Sequence, residues 1–277
     1  MEYYKPKTAG EAVSLKTDSR MYIAGGTDLG VLLSEFMVQP EALIDLTGID
    51  ELCGVFKVDE GVAIGACTGI SLIAESELLP ACLVEGAKAI GSPQIRNMAT
   101  IGGNICNASP CGDTLTPLVV LEAVFIIEGD SGERRVKIED FFIGPKRTCM
   151  SPEEILKIII IPSRSPDQKS GFRMIGKRNG QAISQVNAAV SAVITGGIIK
   201  DIRIAAGSVA PVPLRLKKTE DVVRGKALGS NFLERMKDTA EQEVSPISDV
   251  RAAEEYRRKV AGSLLESIFR AMRKEAV

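Results

Sequence analysis

The residues with the clearest chemical potential lie in the stretch 99–113, whose first half reads Ala-Thr-Ile-Gly-Gly-Asn. The pair Gly102-Gly103 can adopt positive φ angles, which would let several backbone N–H groups point into one concavity. Such a concavity binds phosphate oxygens, and Thr100 and Asn104 add a hydroxyl and an amide donor at its rim. Asp113 suits sugar hydroxyls or a ring N–H, so the stretch predicts a nucleotide cofactor held by the backbone. The alternative interpretation is a tight turn between strands.

A second stretch with similar chemistry is Gly25-Gly26-Thr27-Asp28. It follows a predicted strand over 21–24 and precedes a predicted helix over 29–36, whose apolar residues have helical spacing. Free N–H groups and the helix dipole converge where a strand runs into a helix, so this turn also favours anions. The chain has no Gly-x-Gly and no Gly-Lys-Ser/Thr, which excludes the Rossmann fingerprint and the P-loop. The glycine stretches therefore belong to a different fold.

The chain has 277 residues and no histidine. A Ser-His-Asp triad, a Cys-His pair, His-ligated zinc and a flavin tethered covalently through histidine are therefore excluded. Six cysteines show no Cys-x-x-Cys spacing, so neither a zinc ribbon nor an iron–sulfur set is indicated. Cys106 and Cys111 are predicted to be small buried thiols in preference to a redox or metal pair. The chemistry would then come from a bound cofactor.

The charge balance limits the kinds of partner that this chain would bind. A formal net charge of −2 argues against nucleic acid or an anionic membrane surface as the main partner. No apolar run reaches the ~18–20 residues that a membrane span needs. The N-terminus lacks the charged-then-apolar pattern of a signal peptide, so the expected location is the cytoplasm.

Short helices and strands are predicted to position the two glycine stretches. Thr8 is predicted to cap a helix over 9–15, with Glu11 in the capping-box position. The run 155–161 is continuously apolar and predicts a buried strand. Three hairpins are predicted from paired apolar runs: 55–58 with 62–66, 124–128 with 134–138, and 189–194 with 198–206.

The second half of the chain begins with a predicted boundary. Residues 162–171 have linker composition, which separates the first part of the chain from the last. Near the C-terminus, apolar residues recur every four positions from Tyr256 to Met272, which predicts a helix with Ser248 as its N-cap.

The two glycine stretches and their flanks resemble the FAD-binding subunit of the molybdenum hydroxylases, the flavoprotein chain of carbon monoxide dehydrogenase, xanthine dehydrogenase and related enzymes. The resemblance covers nearly the whole chain, and several ordered matches are more specific than any single one. In chain order, the matching motifs are Ala24–Leu29, Gly91–Asn97 leading into Thr100–Asn104, Ser109-Pro110 through Asp113, Phe141-Phe142-x-Gly144 with Pro152–Leu156, Asp249–Ala252 and Glu255–Arg258.

The resemblance implies an α+β fold of the vanillyl-alcohol-oxidase (PCMH) type. It implies an FAD-binding α/β subdomain over 1–53, a second FAD-binding α+β subdomain over 54–164, and a C-terminal domain with a small antiparallel sheet and helices over 170–277. Met174 stands where relatives often carry a lysine, so Lys177 or Arg173 would supply the charge near the flavin. The residues implied to hold FAD, noncovalently, are Tyr22, Ile23, Ala24, Gly25, Gly26, Thr27, Asp28, Leu29, Ile90, Thr100, Ile101, Gly102, Gly103, Asn104, Asp113, Leu156 and Lys177.

The implied function is that of an electron-transfer subunit with no catalytic acid, base or nucleophile of its own. Electrons would pass from a molybdopterin-binding large subunit through a [2Fe-2S] small subunit to FAD in this chain, and then to NAD or another acceptor, within a heterotrimer. The alternatives are a self-sufficient flavin-dependent oxidase or reductase of the same fold, and a cofactor-free interaction protein. The sequence identifies neither the organic substrate nor the electron acceptor.

Overall fold

A parallel sheet forms the first part of the fold in the computed structural model, which describes residues 1–178 and 180–274. Its strand order is β1-β3-β2. The Thr8 hydroxyl accepts a hydrogen bond from the Glu11 amide, which confirms the predicted cap of the first helix. The elements are β1 (Glu2–Tyr4), α1 (Ala9–Ser14), β2 (Arg20–Ile23), α2 (Leu29–Ser34) and β3 (Ala42–Asp45).

The middle of the chain builds a five-stranded antiparallel sheet with helices on one side. The sheet order is β4-β5-β10-β6-β7, and a separate two-stranded ribbon joins β8 to β9. The elements are β4 (Val55–Val58), β5 (Gly61–Gly65), α3 (Ile70–Glu75), α4 (Ala81–Ala89), α5 (Pro93–Met98), α6 (Ile101–Cys106), α7 (Leu115–Val120), β6 (Val124–Gly129), β7 (Gly132–Lys137), α8 (Ile138–Phe141), β8 (Phe142–Gly144), β9 (Arg147–Thr148) and β10 (Ile155–Pro162).

Strand β10 lies at the centre of this sheet and confirms the predicted buried strand. It pairs with β5 on one side and with β6 on the other. Its isoleucines suit such a position because β-branched side chains pack well on a pleated surface. The two predicted hairpins, β4–β5 and β6–β7, are also confirmed.

The last part of the chain forms a four-stranded antiparallel sheet covered by helices. The predicted hairpin is present, and its turn residues Gly196 and Gly197 have φ angles of 58° and 74°. The elements are β11 (Gln168–Ile175), β12 (Val186–Thr195), β13 (Ile198–Gly207), β14 (Leu214–Arg215), α9 (Lys217–Val223), α10 (Leu233–Glu243) and α11 (Glu254–Lys274).

The connection between the second and third sheets is shorter than the sequence predicted. Strand β11 already begins at Gln168, which pairs with Val193 of β12. The polar composition of 162–171 misled the prediction because pairing with β12 satisfies the backbone of residues 168–171. The proposed domain ranges 1–53, 54–164 and 170–277 stay predictions.

Helix α11 confirms the predicted C-terminal helix, but it differs from the prediction in its start and in the first part of its buried face. It begins at Glu254, and Ser248 accepts a hydrogen bond from the Glu254 amide from outside the helix. The buried face runs through Ala261, Leu265 and Phe269, whereas Tyr256 is exposed, because β11, β12 and α10 cover only that side. Across residues 1–178 and 180–274, no helix has the length and apolar character needed to cross a membrane.

Candidate functional site

A cleft lies where the turn after β2, helices α5 and α6, and the segment 143–156 come together. It consists of two adjoining cavities of about 780 and 540 Å³. We call the larger one the amide-rich half and the smaller one the apolar half. Residues that line both halves are Tyr22, Ala24, Thr100, Gly103, Cys106 and Pro152. The two glycine stretches singled out in the sequence therefore meet at one cleft.

The turn Gly25–Asp28 forms one wall of the amide-rich half. Gly26 has a φ of 69°, and a Cβ on Gly25 would lie 1.9 Å from the carbonyl oxygen of Met98. Glycine at position 25 is therefore required for the turn to lie against the end of α5. The four amides of this turn have no hydrogen-bond partner within the described residues. Unpartnered amides beside a cavity can bind an anion such as a diphosphate.

The second glycine stretch is a helix and not the predicted open loop. Gly102 and Gly103 belong to α6, and neither has a positive φ. Three amides at the start of α6 donate within the protein: Ile101 to Thr68 O, Gly102 to Ala66 O and Gly103 to Thr100 Oγ1. The predicted concavity of free N–H groups at 100–104 is therefore wrong, because the protein itself satisfies those amides.

The glycines of α6 serve close packing and a smooth cleft wall. A Cβ on Gly102 would lie 2.6 Å from both Cβ and the carbonyl oxygen of Ala66. Gly103 lines both halves of the cleft without a side chain. Asn104 also lines the amide-rich half, and its Oδ1 accepts a hydrogen bond of 2.6 Å from the Thr114 hydroxyl. Helix α6 thus shapes the cleft, while the turn at 25–28 supplies its free donors.

The apolar half is lined mainly by aliphatic and sulfur-containing side chains. Its phenol and its carboxyl are both engaged within the protein. The Tyr22 hydroxyl donates to Glu153 O at 2.8 Å, and the Glu154 carboxylate pairs with Arg134 at 2.6 Å. Such a cavity suits a flat ring system. The apolar and sulfur-containing residues are Leu46, Ala66, Cys67, Cys106, Ile143, Met150, Ile155 and Leu156.

The cysteines of the second glycine stretch do not form a metal or disulfide site. Cys106 is exposed and Cys111 is half-buried, so the prediction that both are buried is wrong; Cys106 faces the cleft from the end of α6. Its Sγ lies 3.9 Å from the Met150 sulfur. All six cysteines are free thiols, and burial raises the pKa of Cys67 to about 12. No cluster of potential metal ligands occurs in the described part of the chain, 1–178 and 180–274.

Comparisons with known proteins agree with this architecture. Residues 1–164 match the FAD binding domain in molybdopterin dehydrogenase, and residues 172–272 match the CO dehydrogenase flavoprotein C-terminal domain. The carbon monoxide dehydrogenase medium chain of Hydrogenophaga pseudoflava is 31% identical over 98% of this chain and 96% of the relative. The xanthine dehydrogenase FAD-binding subunit of Escherichia coli O157:H7 is 30% identical over 96% of this chain and 94% of the relative.

A solved structure extends the similarity to three dimensions. Carbon monoxide dehydrogenase from Hydrogenophaga pseudoflava, in a form that lacks the Mo-pyranopterin moiety of its molybdenum cofactor, matches with a TM-score of 0.91. The two chains are 32% identical over 98% of this chain and 96% of the other. This chain belongs to the FAD-binding subunits of the molybdenum hydroxylases. Its fold is therefore the predicted PCMH-type FAD-binding fold, and FAD is its cofactor.

The residues of the cleft fit FAD. The four free amides at 25–28 suit the diphosphate, and the aliphatic walls of the apolar half suit a ring system. Most of the residues implied by the family resemblance line the cleft. Ile90 lines the amide-rich half and Leu156 lines the apolar half. Their contacts with FAD stay predictions.

Three of the residues implied by the resemblance lie elsewhere. The Ile101 side chain is fully buried in the core beneath α6. Lys177 donates from its Nζ to Val250 O at 2.8 Å, in the C-terminal part of the chain. The other basic candidate, Arg173, pairs with Glu85 of α4 at 3.2 Å. Asp113 is buried against the start of β12. The roles of these residues in FAD binding stay predictions.

Asp113 joins the FAD-binding part of the chain to the C-terminal sheet. Its Oδ1 accepts hydrogen bonds from the Ser184 hydroxyl at 2.5 Å and from Asn187 Nδ2 at 2.9 Å. Asn187 in turn accepts a hydrogen bond from the Thr116 hydroxyl. Burial raises the pKa of Asp113 to about 6, although the two hydrogen bonds oppose that shift.

Cationic residues at the cleft were not found from the sequence. Lys146 and Arg147 line the apolar half, and Lys16 and Arg20 line the amide-rich half. The Phe141-Phe142-x-Gly144 motif that precedes Lys146 carried a signal, because it matched the family and lies just before the cleft wall. It gave no indication of which neighbouring side chain reaches the site.

Proposed function

We propose that this chain accepts electrons from a [2Fe-2S] partner subunit, which a molybdopterin-binding subunit reduces, and passes them to NAD or another acceptor. When bound, FAD supplies the redox chemistry, since it can exchange electrons both singly and in pairs. The residues of this chain bind and orient the cofactor and keep water from its ring system. The hydroxylation chemistry would take place on the partner subunits.

The observation that carries this proposal is that the carboxyl and the phenol at the apolar half are both engaged by other protein groups. Glu154 is held by Arg134 and by the Ser151 amide, which lowers the pKa of its carboxyl. Burial raises the pKa of the Tyr22 phenol, whose proton is donated to Glu153 O. Among the described residues of this half, neither the carboxyl nor the phenol is free to move a proton on an organic substrate. Such a site favours electron transfer over a self-sufficient oxidase.

Exposed apolar side chains beside the cleft support the proposal that partner subunits bind there. Phe36 and Met37, just after α2, are 77% and 70% exposed, and Met98, at the end of α5, is 62% exposed. Helices α2 and α5 both line the amide-rich half. Large apolar side chains left in water are typical of surfaces that a partner covers. We further propose a cytoplasmic complex, where six free thiols stay reduced.

The first experiment is an absorbance spectrum of the purified chain before and after acid precipitation. Flavin bands near ~450 nm that move into the supernatant are expected, because the cleft offers a noncovalent site. A chain that is colourless and takes up no added FAD would favour the cofactor-free alternative. Flavin that stays with the precipitate would contradict the noncovalent assignment.

The second experiment tests the direction of electron flow. Chemically reduced, FAD-loaded chain is mixed in a stopped-flow instrument with NAD, a quinone or ferricyanide, and reoxidation is followed by absorbance. Rapid reoxidation by one of these acceptors is expected. Affinity purification of the tagged chain from its native host should also recover subunits that contain molybdenum and iron. Turnover of an organic substrate by the chain alone would instead support the self-sufficient alternative.

A further inference from the structure

Lys146 lies in the turn of the β8–β9 ribbon and lines the cleft. Lys146 lines the apolar half, whereas Asp28 and Asn107 line the amide-rich half. The Lys146 Nζ donates to Asn107 Oδ1 and lies 3.9 Å from Asp28 Oδ1. Asn107 Nδ2 donates to the same Asp28 oxygen at 3.3 Å. We call these three side chains the clasp; it connects the turn after β2, the end of α6 and the ribbon.

The backbone fixes the position of Lys146. Lys146 has a φ of 59° and Ala108 has a φ of 46°, both in the left-handed region that non-glycine residues seldom adopt. The Lys146 amide donates to Ala108 O at 2.9 Å, which joins the tip of the ribbon to the chain just after α6. Two strained residues persist together only where the surrounding structure determines their conformation. The backbone of Lys146 is therefore fixed beside the cleft before any ligand binds.

The charges that line the cleft favour a cation next to Asp28. Neither glycine stretch contains a lysine or an arginine, and Asp28 places a carboxylate beside the four free amides. A diphosphate would add further negative charge next to Asp28, which repels it.

The other cations of the amide-rich half are engaged elsewhere. Arg20 donates to Leu15 O at 2.8 Å and lies over the Tyr4 ring, and Lys16 donates to Thr17 O. Lys146 and Asp28 are both more than half exposed, so their ion pair is weak and the ammonium can gain a ligand contact. Of the cations that line the two halves, Lys146 is the one that bridges them.

We propose that Lys146 is a positioning residue for FAD, one that offsets the Asp28 carboxylate beside the diphosphate and slows cofactor release. The inference rests on the proposed function of the cleft as an FAD site in this chain. The clasp links a residue of the apolar half to two residues of the amide-rich half, so we expect a bound dinucleotide to leave more slowly while these contacts hold. The contribution of Lys146 is electrostatic and therefore depends on ionic strength.

The test measures the rate at which FAD leaves the full chain. Flavin fluorescence rises on release, and an excess of an unrelated apoprotein that binds FAD tightly prevents rebinding. Lys146→Gln removes the charge at similar length, Lys146→Arg keeps the charge, and Lys57→Gln changes an exposed lysine on β4 that lines neither half. We expect Lys146→Gln to release FAD about tenfold faster, with Lys146→Arg and Lys57→Gln close to the original chain.

Salt dependence separates a charge effect from a folding effect. The release rate of the original chain should rise with added salt, and that of Lys146→Gln should rise less. The proposal is overturned if Lys146→Gln and the original chain release FAD at equal rates. It is also overturned if Lys146→Gln and Lys146→Arg both release FAD faster and both melt at lower temperature without FAD, because the ribbon would then have only a structural role. An original chain that binds no FAD at all would instead refute the proposed function.

Discussion

At the scale of single residues, glycines decide how closely the walls of the cleft approach. Gly25 has no room for a Cβ against the Met98 carbonyl, whereas a Cβ on Gly30, in α2, would meet no atom within 4 Å. The two positions therefore give a matched pair. A substitution at Gly25 tests the close approach of the turn to α5, and a substitution at Gly30 tests the general effect of an added methyl group.

We expect Gly25→Ala to lower the free energy of unfolding by about 3 kcal/mol or more and to abolish FAD binding, because the turn must move away from α5. Gly30→Ala should raise stability by up to about 1 kcal/mol, since alanine favours a helix over glycine. Urea unfolding and FAD titration of both variants measure these effects. Equal behaviour of the two variants would contradict the packing argument.

Asp113 gives a pH-dependent prediction. Its pKa is about 6 in the folded chain and 3.8 in the reference state, so the folded chain holds the proton more tightly between these values. Stability therefore falls as pH rises from about 4 to about 6, and the ionised, buried carboxylate weakens the fold at pH 7.5. Asp113→Asn cannot ionise and still accepts hydrogen bonds from Ser184 and Asn187.

We expect Asp113→Asn to stabilise the chain at pH 7.5 relative to the original by up to about 3 kcal/mol, and by much less near pH 4. Urea unfolding without FAD at both pH values measures the difference. Asp59→Asn, at an exposed hairpin turn, is the control and should show no such pH dependence. A variant that loses stability at pH 7.5 would show that Asp113 is stabilised in its charged form.

At the scale of elements, the two glycine stretches differ in where their backbone donors go. The amides at 25–28 have no partner within the described residues, whereas those at 101–103 are bonded within the protein. We expect hydrogen exchange to be fast at 25–28 without FAD and slowed by FAD. Exchange at 101–103 should be slow in both states. Mass spectrometry of overlapping peptides measures both, and strong FAD protection confined to 101–103 would reverse our assignment of the phosphate donors.

The C-terminal motif that carried part of the family resemblance has a structural role. Arg257 is buried in α11 and donates to Gln185 O, to Ser208 O and to Asp249. It thus fixes the start of β12, the end of β13 and the segment before α11. Burial raises the pKa of Asp249, but hydrogen bonds from the Arg251 amide, the Arg257 guanidinium and the Ala252 amide outweigh it and lower that pKa to about 2.

Arg257→Ala should lower the free energy of unfolding by about 3–5 kcal/mol, because buried carbonyls and a carboxylate lose their donor. Arg270→Ala, in the same helix, breaks an exposed pair with Glu266 and should cost no more than about 0.5 kcal/mol. Denaturant unfolding of both variants gives the comparison. If the two losses are equal, Arg257 does not hold these segments together.

Local sequence signals predicted the elements that depend on local chemistry. The Thr8 cap, the three hairpins and the apolar strand β10 follow from short-range patterns, and each is present. Helix α6 could not be predicted in this way, because two glycines disfavour a helix. Its first amides are satisfied by carbonyls of Ala66 and Thr68, more than thirty positions earlier in the chain. Only the tertiary structure brings those carbonyls to α6.

At the scale of the whole molecule, every described residue that lines the cleft lies between Lys16 and Leu156, in the part of the chain that builds the first two sheets. The core of the first sheet is small and includes Ile44, Leu52 and Ile155, while α2 buries none of its residues. The family motifs predicted this architecture and the cofactor, yet not the clasp. Asp28 was singled out from the sequence, but Asn107 and Lys146 lie far from it along the chain and carry no local signal of their own. Their meeting depends on the packing of the ribbon against α6.

Because α2 buries none of its residues, we expect it to be more susceptible to proteolysis without FAD than with FAD. FAD binds the folded state, so it raises stability by about 2.7 kcal/mol when free FAD is a hundredfold above its dissociation constant. We expect a protease to cut within 26–37 in the absence of FAD and much more slowly in its presence. The C-terminal sheet should be cut at equal rates in both states. Equal rates of cleavage at 26–37 with and without FAD would contradict a coupling between FAD binding and the stability of α2.

A helix that borders its ligand yet buries nothing has a consequence for the supply of this subunit in the cell. When riboflavin is scarce, newly made chains would lack FAD, and cellular proteases could cleave them at α2. Loaded chains would survive long enough to meet their partners. Vitamin status would then set how many oxidoreductase complexes accumulate, without any change in gene expression.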